Sequence, residues 1–200
     1  MASTLKCDTI NTLNGLGNIS FSRPIVADIS NVTGTLPAID GSNLTGISGG
    51  KVLQVVEHQY STEGSTTAQI PADDTIPQSS EGVEITTKAF TPLSATSNFH
   101  ITAVLPVSSN NSIDLGMALF MDSDTDAFAS AIGGIYGVTY TLSMFPIYGK
   151  VASTGTSSRT VKLRFGPLAA GVTVHWNDDD GSARFGGTLY TTIRIMEVEA

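Results

Sequence analysis

Cysteine is almost missing: Cys7 is the only one in 200 residues. A single thiol excludes an intramolecular disulfide framework and any cysteine metal cluster. With no histidine near it in sequence, Cys7 reads as a small apolar side chain. Basic residues are also few, 10 Lys and Arg against 18 Asp and Glu, for a formal net charge of −8. So acidic a chain is poorly suited to phosphate backbones or anionic lipid, and no nucleic-acid partner is expected. No stretch approaches the ~20 apolar residues that cross a bilayer, so no membrane insertion is expected. The opening "MASTLKCDTINTLNG" lacks the basic and apolar regions of a secretory signal. His58, His100 and His175 stand alone, with no metal-ligand spacing. There is no G-x-S-x-G and no phosphate-binding glycine loop, and neither a metal nor a cofactor is expected. The strong helix formers Lys, Glu, Arg and Gln are scarce, with charged residues at 14% against a usual ~25%.

What is present favours strands. There are 20 glycines, abundant Ser and Thr, and 40% hydrophobic residues, enough for one core. Residues 51–200 read as about nine short strands separated by Gly, Pro, Asn, Asp or Ser. "NFHITAVLPVS" sets Phe99, Ile101, Ala103, Leu105 and Val107 on one face, and "TLYTTIRIMEVEA" alternates in the same way. "SIDLGMALFMDS" reads as a buried strand, "STTAQIPA" as a short strand, and "AFASAIGGIYG" as either a short helix or a bulged strand. The expected architecture is all-β: an antiparallel β-sandwich of jelly-roll type over residues 51–200. The closing strand must be paired, since an apolar exposed edge invites aggregation.

Residues 1–50 differ in composition. "DISNVTG" (28–34) and "DGSNLTG" (40–46) are near-copies, each placing one apolar residue among turn formers. Neither can bury enough to offset an ordering entropy of about 1–2 kcal/mol per residue. The segment is therefore expected to be an extended, turn-rich connector that orders only against copies of itself or a larger assembly. Its "SGG" at 48–50 reads as a hinge.

"STLKCDTINTLNGLGNISFS" and "LPAIDGSNLTGI" resemble the opening and shaft motifs of tailed-phage virion fibre proteins of the cyanophage and marine-phage type. "KVLQVV", "FHITAVLPVS", "RTVKLRFG", "GVTVHWNDDDGSARFGG" and "TTIRIMEVEA" resemble the distal head of such proteins. The resemblance implies a homotrimer with a trimerising attachment or shaft segment (1–50) and a β-sandwich head (51–200). Val32, Ile39, Leu44 and Ile47 would then meet at the common axis. It implies a virion protein, made in the bacterial host cytoplasm and contacting other tail or capsid proteins through its N-terminal segment. The head would adhere to a receptor or glycan on the host surface. Alternatives are a capsid head-fibre or decoration protein docked through the same segment, and a polysaccharide depolymerase.

The candidate binding residues are those of two acidic loops and the aromatics near them. "MDSDTDAF" spaces Asp122, Asp124 and Asp126 like the start of a calcium loop, but Ala127 stands where a glycine is needed and no acid follows in the next ten positions. A solvated acidic loop is the plainer reading. "NDDDG" groups Asp178, Asp179 and Asp180 in a turn, with Asp180–Gly181 able to take positive φ. Asp124, Asp126, Tyr136, Trp176, Asp178, Asp179 and Asp180 are therefore the receptor-binding candidates. Trp176 shares a strand face with Val172 and Val174, so the core is its default place. No pair of carboxylates is placed across a cleft, and no catalytic residue is expected.

Overall fold

The computed structural model describes residues 51–136 and 141–200. The expectations for residues 1–50, including Val32, Ile39, Leu44 and Ile47, lie outside the described residues. Among the described residues ten strands are formed: β1 (Val52–Tyr60), β2 (Gly64–Thr66), β3 (Val83–Phe90), β4 (Asn98–Ser109) and β5 (Ile113–Met121), then β6 (Ala129–Ile135), β7 (Thr141–Ala152), β8 (Arg159–Pro167), β9 (Val174–Trp176) and β10 (Thr191–Val198).

Alternation divides them into two layers. Phe99, Ile101, Ala103, Leu105 and Val107 of β4 are all buried, as are Ile193 and Ile195 of β10 and Phe145 and Ile147 of β7. They face Leu115, Met117 and Leu119 of β5 and Val161, Leu163 and Phe165 of β8 in one core. The first sheet runs β7-β4-β10-β1, all antiparallel. Since β7 takes the whole of one edge of β4, β9 continues the β10 edge at Val107 and Ser108, with β2 outside it. The second sheet runs β3-β8-β5-β6. In chain order the eight longer strands pass between the layers as the double Greek key of a jelly roll, as the strand pattern predicts. The closing strand β10 is paired on both sides, with β1 and β4.

β5 is buried on both faces, which accounts for its unbroken apolar run: Ala118 and Phe120 face away from the core yet are covered. Segment 67–82 lies across that outer face. Ile70 N–H donates to the Pro167 carbonyl, Gly82 N–H to Gln69 and Ala127 N–H to Pro77. Of the expected strand "STTAQIPA" only Ser65 and Thr66 fall within β2, because Ile70 is used to cap the sheet. The ambiguous "AFASAIGGIYG" resolves to β6, a strand.

Gly64 and Gly166 mark the tightest of several close approaches. A Cβ on Gly64 would lie 2.2 Å from Cζ2 of Trp176, and one on Gly166 would lie 2.2 Å from the Ala68 carbonyl oxygen. Gly64→Ala must push the buried indole out of place, and such overpacking costs about 2 kcal/mol. Urea unfolding is expected to show that loss with an unchanged m-value; a midpoint equal to the parent's would contradict the packing of Trp176 on β2.

Candidate functional site

The structure distributes the sequence-predicted site residues over both ends of the sandwich. Asp124 and Asp126 lie in the turn after β5. Asp124 lines a small hollow with Glu84, Lys162 and Arg164, and Asp126 bridges to Gln78. The neighbouring Asp122 is occupied by Arg159 Nε (2.5 Å) and the Thr160 amide (2.6 Å). Tyr136 follows β6 at the opposite end of β5, roughly 27 Å away along the strand. Its exposed phenol donates to the Asp114 carboxylate, and that hydrogen bond pushes its pKa above the ordinary value.

Trp176, Asp178, Asp179 and Asp180 are brought together, but inward. Trp176 is 8% exposed and belongs to the core, its default reading. Asn177 and Asp180 take left-handed φ of 59° and 51°, a conformation that short polar side chains tolerate. The turn is pinned from several sides. Asn177 Nδ2 donates to the Tyr60 and Thr62 carbonyls at 2.9 and 3.0 Å, and its Oδ1 accepts from Thr191 Oγ1 at 2.9 Å. Ser108 Oγ donates to the Asp178 carbonyl, and the His175 ring lies 3.4 and 3.3 Å from the carboxylates of Asp178 and Asp180. Asp179 holds Arg184 by two contacts of 2.8 Å. The expected turn is formed and is closed by an Asp179–Ser182 bridge.

Arg184 leads directly to a strained display loop. Phe185 has φ +51° and is 76% exposed, followed by Gly186 at +63° and Gly187 at +81°. A bulky aromatic in the left-handed region costs about 1–2 kcal/mol, a strain typical of functional loops. Thr188 closes the loop through its amide and hydroxyl, both donating to the Phe185 carbonyl. Beyond it, Tyr190 opens onto the outer face of the first sheet.

There the strand register assembles a groove that no local stretch of sequence contains. Glu57 and Gln59 of β1, Arg194 and Thr192 of β10, and Thr102 and Val104 of β4 stand in two cross-strand rows. With Tyr190 they enclose about 400 Å³. A second hollow, sharing Gln59 and Tyr190, continues past Ser61 to Gly187 and Thr188. The row Glu57–Arg194–Thr102 extends across β4 to Tyr148, whose hydroxyl is 2.8 Å from His100 Nδ1. Arg194 Nε and Nη2 both donate to one oxygen of Glu57, at 2.7 and 2.6 Å. Among the described residues the second carboxylate oxygen of Glu57 and the side chains of Gln59, Thr102, Thr192 and Tyr190 have no hydrogen-bond partner. They present a concave array of donors and acceptors between aromatic rings, the chemistry that orients a polyhydroxylated ligand.

Sequence reasoning missed this groove because its residues are far apart in the chain: Glu57 and Arg194 are separated by 137 positions. The only available signal was polar spacing on the outward faces of β1 and β10.

No family model matches the chain, and no curated protein matches it. Solved structures are similar only at a distance. One is the EclA C-terminal domain, described as a sugar-binding protein, at 15% identity over 88% of this chain and 97% of that one, with a TM-score of 0.29. Another is a T13 viral particle of infectious bursal disease virus, at 10% identity over 74% of this chain and 38% of that one, with a TM-score of 0.37. A third is an arabinose-bound α-L-arabinofuranosidase, MgGH51, at 12% identity over 69% and 23%, with a TM-score of 0.32. This chain spans well under half the length of the last two. At these values the similarity assigns it to no family.

Proposed function

We propose that this chain is a trimeric tailed-phage fibre protein whose sandwich head adheres to glycans on the host surface through the groove between β1, β10 and β4. The observation that carries the reading is the groove itself: a concave polar surface on a rigid sheet, its hydrogen-bonding groups unspent and flanked by tyrosines. Tyr190 and Tyr148 supply apolar faces for sugar rings. Glu57 and Arg194 hold each other in place while keeping a free carboxylate oxygen and guanidinium hydrogens for hydroxyls. Jelly rolls recur among lectin and capsid domains, a fold-level analogy only. The action is adhesion, multiplied by three chains, not cleavage. The groove lining includes one carboxylate, Glu57, where glycoside hydrolysis ordinarily uses two.

Saturation-transfer NMR with purified host surface polysaccharide tests this. Arg194→Ala and Gln59→Ala are each expected to weaken binding about tenfold, a loss of roughly 1.4 kcal/mol. Melting temperature should be nearly unchanged, since an ion pair this exposed stabilises little. No binding by the parent protein, or equal binding by both variants, would dismiss the groove. Immunogold labelling of particles separates a tail fibre from a capsid decoration protein.

A further inference from the structure

We infer that the β6–β7 corner of the sandwich is where copies of this chain meet, an inference that rests on the trimer proposed above but assigns its contact surface within the head. Each sheet edge carries a signature. β1 has a register irregularity between Val52 and Gln54, and also bears Glu57. β3 has one between Glu84 and Thr86, and also bears Lys88. β7 carries Pro146 and Lys150. Bulges, charges and proline are the devices that stop a strand edge from recruiting another chain. β6, with the sequence ASAIGGI, has none of them and pairs with β5 alone among the described strands.

Charge and shape point to the same corner. Residues 127–149 contain no charged side chain, in a chain of net charge −8. Copies of so acidic a protein repel each other, and they approach at lower cost where few charges have to be desolvated; at this corner residues 127–149 supply none and the nearby acids are Asp73 and Asp114. Ile132 is 69% exposed and Tyr136 74%, and Ile76 is also exposed. Beside Ile132 lies a hollow of about 200 Å³ lined by Ile70, Pro71, Ala72, Pro77 and Leu168 together with Asp73 and Thr75. One patch thus holds both an apolar projection and a recess that accepts one, which a second copy of this chain fits. Three corners turned to a common axis close the ring, each copy presenting projection to one neighbour and recess to the other.

The test uses the full chain with Cys7→Ser, so that one introduced thiol reports alone. Ile132→Cys or Ser130→Cys on β6, and Thr87→Cys on β3 as the control, are treated with a short bis-maleimide at low micromolar concentration. Covalent dimers of both β6 variants are expected to form at least ten times faster than those of the β3 variant. Equal or slower cross-linking at β6 overturns the proposal. Light scattering on the same samples tells the two failures apart: a mass of three chains with no β6 preference rejects the corner but keeps the trimer, whereas a single-chain mass rejects both.

Discussion

Replacing Glu197 with alanine is expected to remove about 4 kcal/mol of folding stability, lowering the melting temperature by roughly 8–16 °C in a chain of this size. Glu197 is fully buried on β10, yet it is a carboxylate surrounded by donors. It accepts from Gln54 Nε2 (2.6 Å), Ser97 Oγ (2.6 Å), the Leu93 amide (2.9 Å) and the Ser94 amide (2.9 Å). Alanine leaves these donors, Ser97 Oγ buried and the others part-buried, without their acceptor and frees segment 91–97 from the sheet. Burial pushes the carboxyl up, but the hydrogen bonds from Ser97, Leu93, Gln54 and Ser94 outweigh it and hold the folded-state value below the ordinary one. The sign of the pH dependence follows. In the unfolded chain Glu197 binds its proton first as pH falls, so its contribution is complete above the unfolded value, roughly pH 4.3. It then declines as pH drops toward and through the lower folded value. Glu197→Gln, which cannot titrate, is expected to lose this acid-side slope while being less stable at neutral pH. Urea unfolding from pH 7 to pH 3 measures both; parallel curves for parent and Glu197→Gln would refute the role of the anion.

Asn177→Ala is expected to cost about 3 kcal/mol. The side chain joins β9 to the end of β1 and the start of β10 through three hydrogen bonds, each worth about 1 kcal/mol. Alanine also tolerates the φ of 59° less well than asparagine. The effect reaches beyond stability, because the 177–181 turn positions Arg184 and hence the Phe185 loop. Amide exchange should rise across residues 177–188 while β5 and β8 stay protected. A loss below 1 kcal/mol, or exchange unchanged in that loop, would show that the turn is held by other means.

β4 and β10 were legible in the sequence because each has one wet and one dry face, so alternation states their orientation directly. β5 was legible as a buried strand, though the covering by segment 67–82 that buries its second face was not. β6 resisted because Gly133 and Gly134 interrupt its pattern; a Cβ on Gly133 would lie 2.4 Å from Phe145, so the glycine answers to a neighbour in β7 that composition does not reveal. The acidic turn misled in another way. Acids in a Gly-ended turn predict solvent exposure, whereas Asp178 and Asp179 are buried by their partners His175 and Arg184. The groove is a product of register, and register between β1 and β10 is decided only when the whole sandwich closes.

β10 lies between β1 and β4, and the Glu199 amide donates to the Lys51 carbonyl, so the outset and finish of the head are stitched side by side. During synthesis the last strand of the sandwich to leave the ribosome is an interior member of its sheet, not a border. Until it arrives, β1 has no partner in that layer among the described strands, and the apolar faces of β4 and β1 await a strand that does not yet exist. Vectorial, piecewise folding is thereby denied to this head: its two layers must zip shut after translation of β10, in a single late and cooperative event.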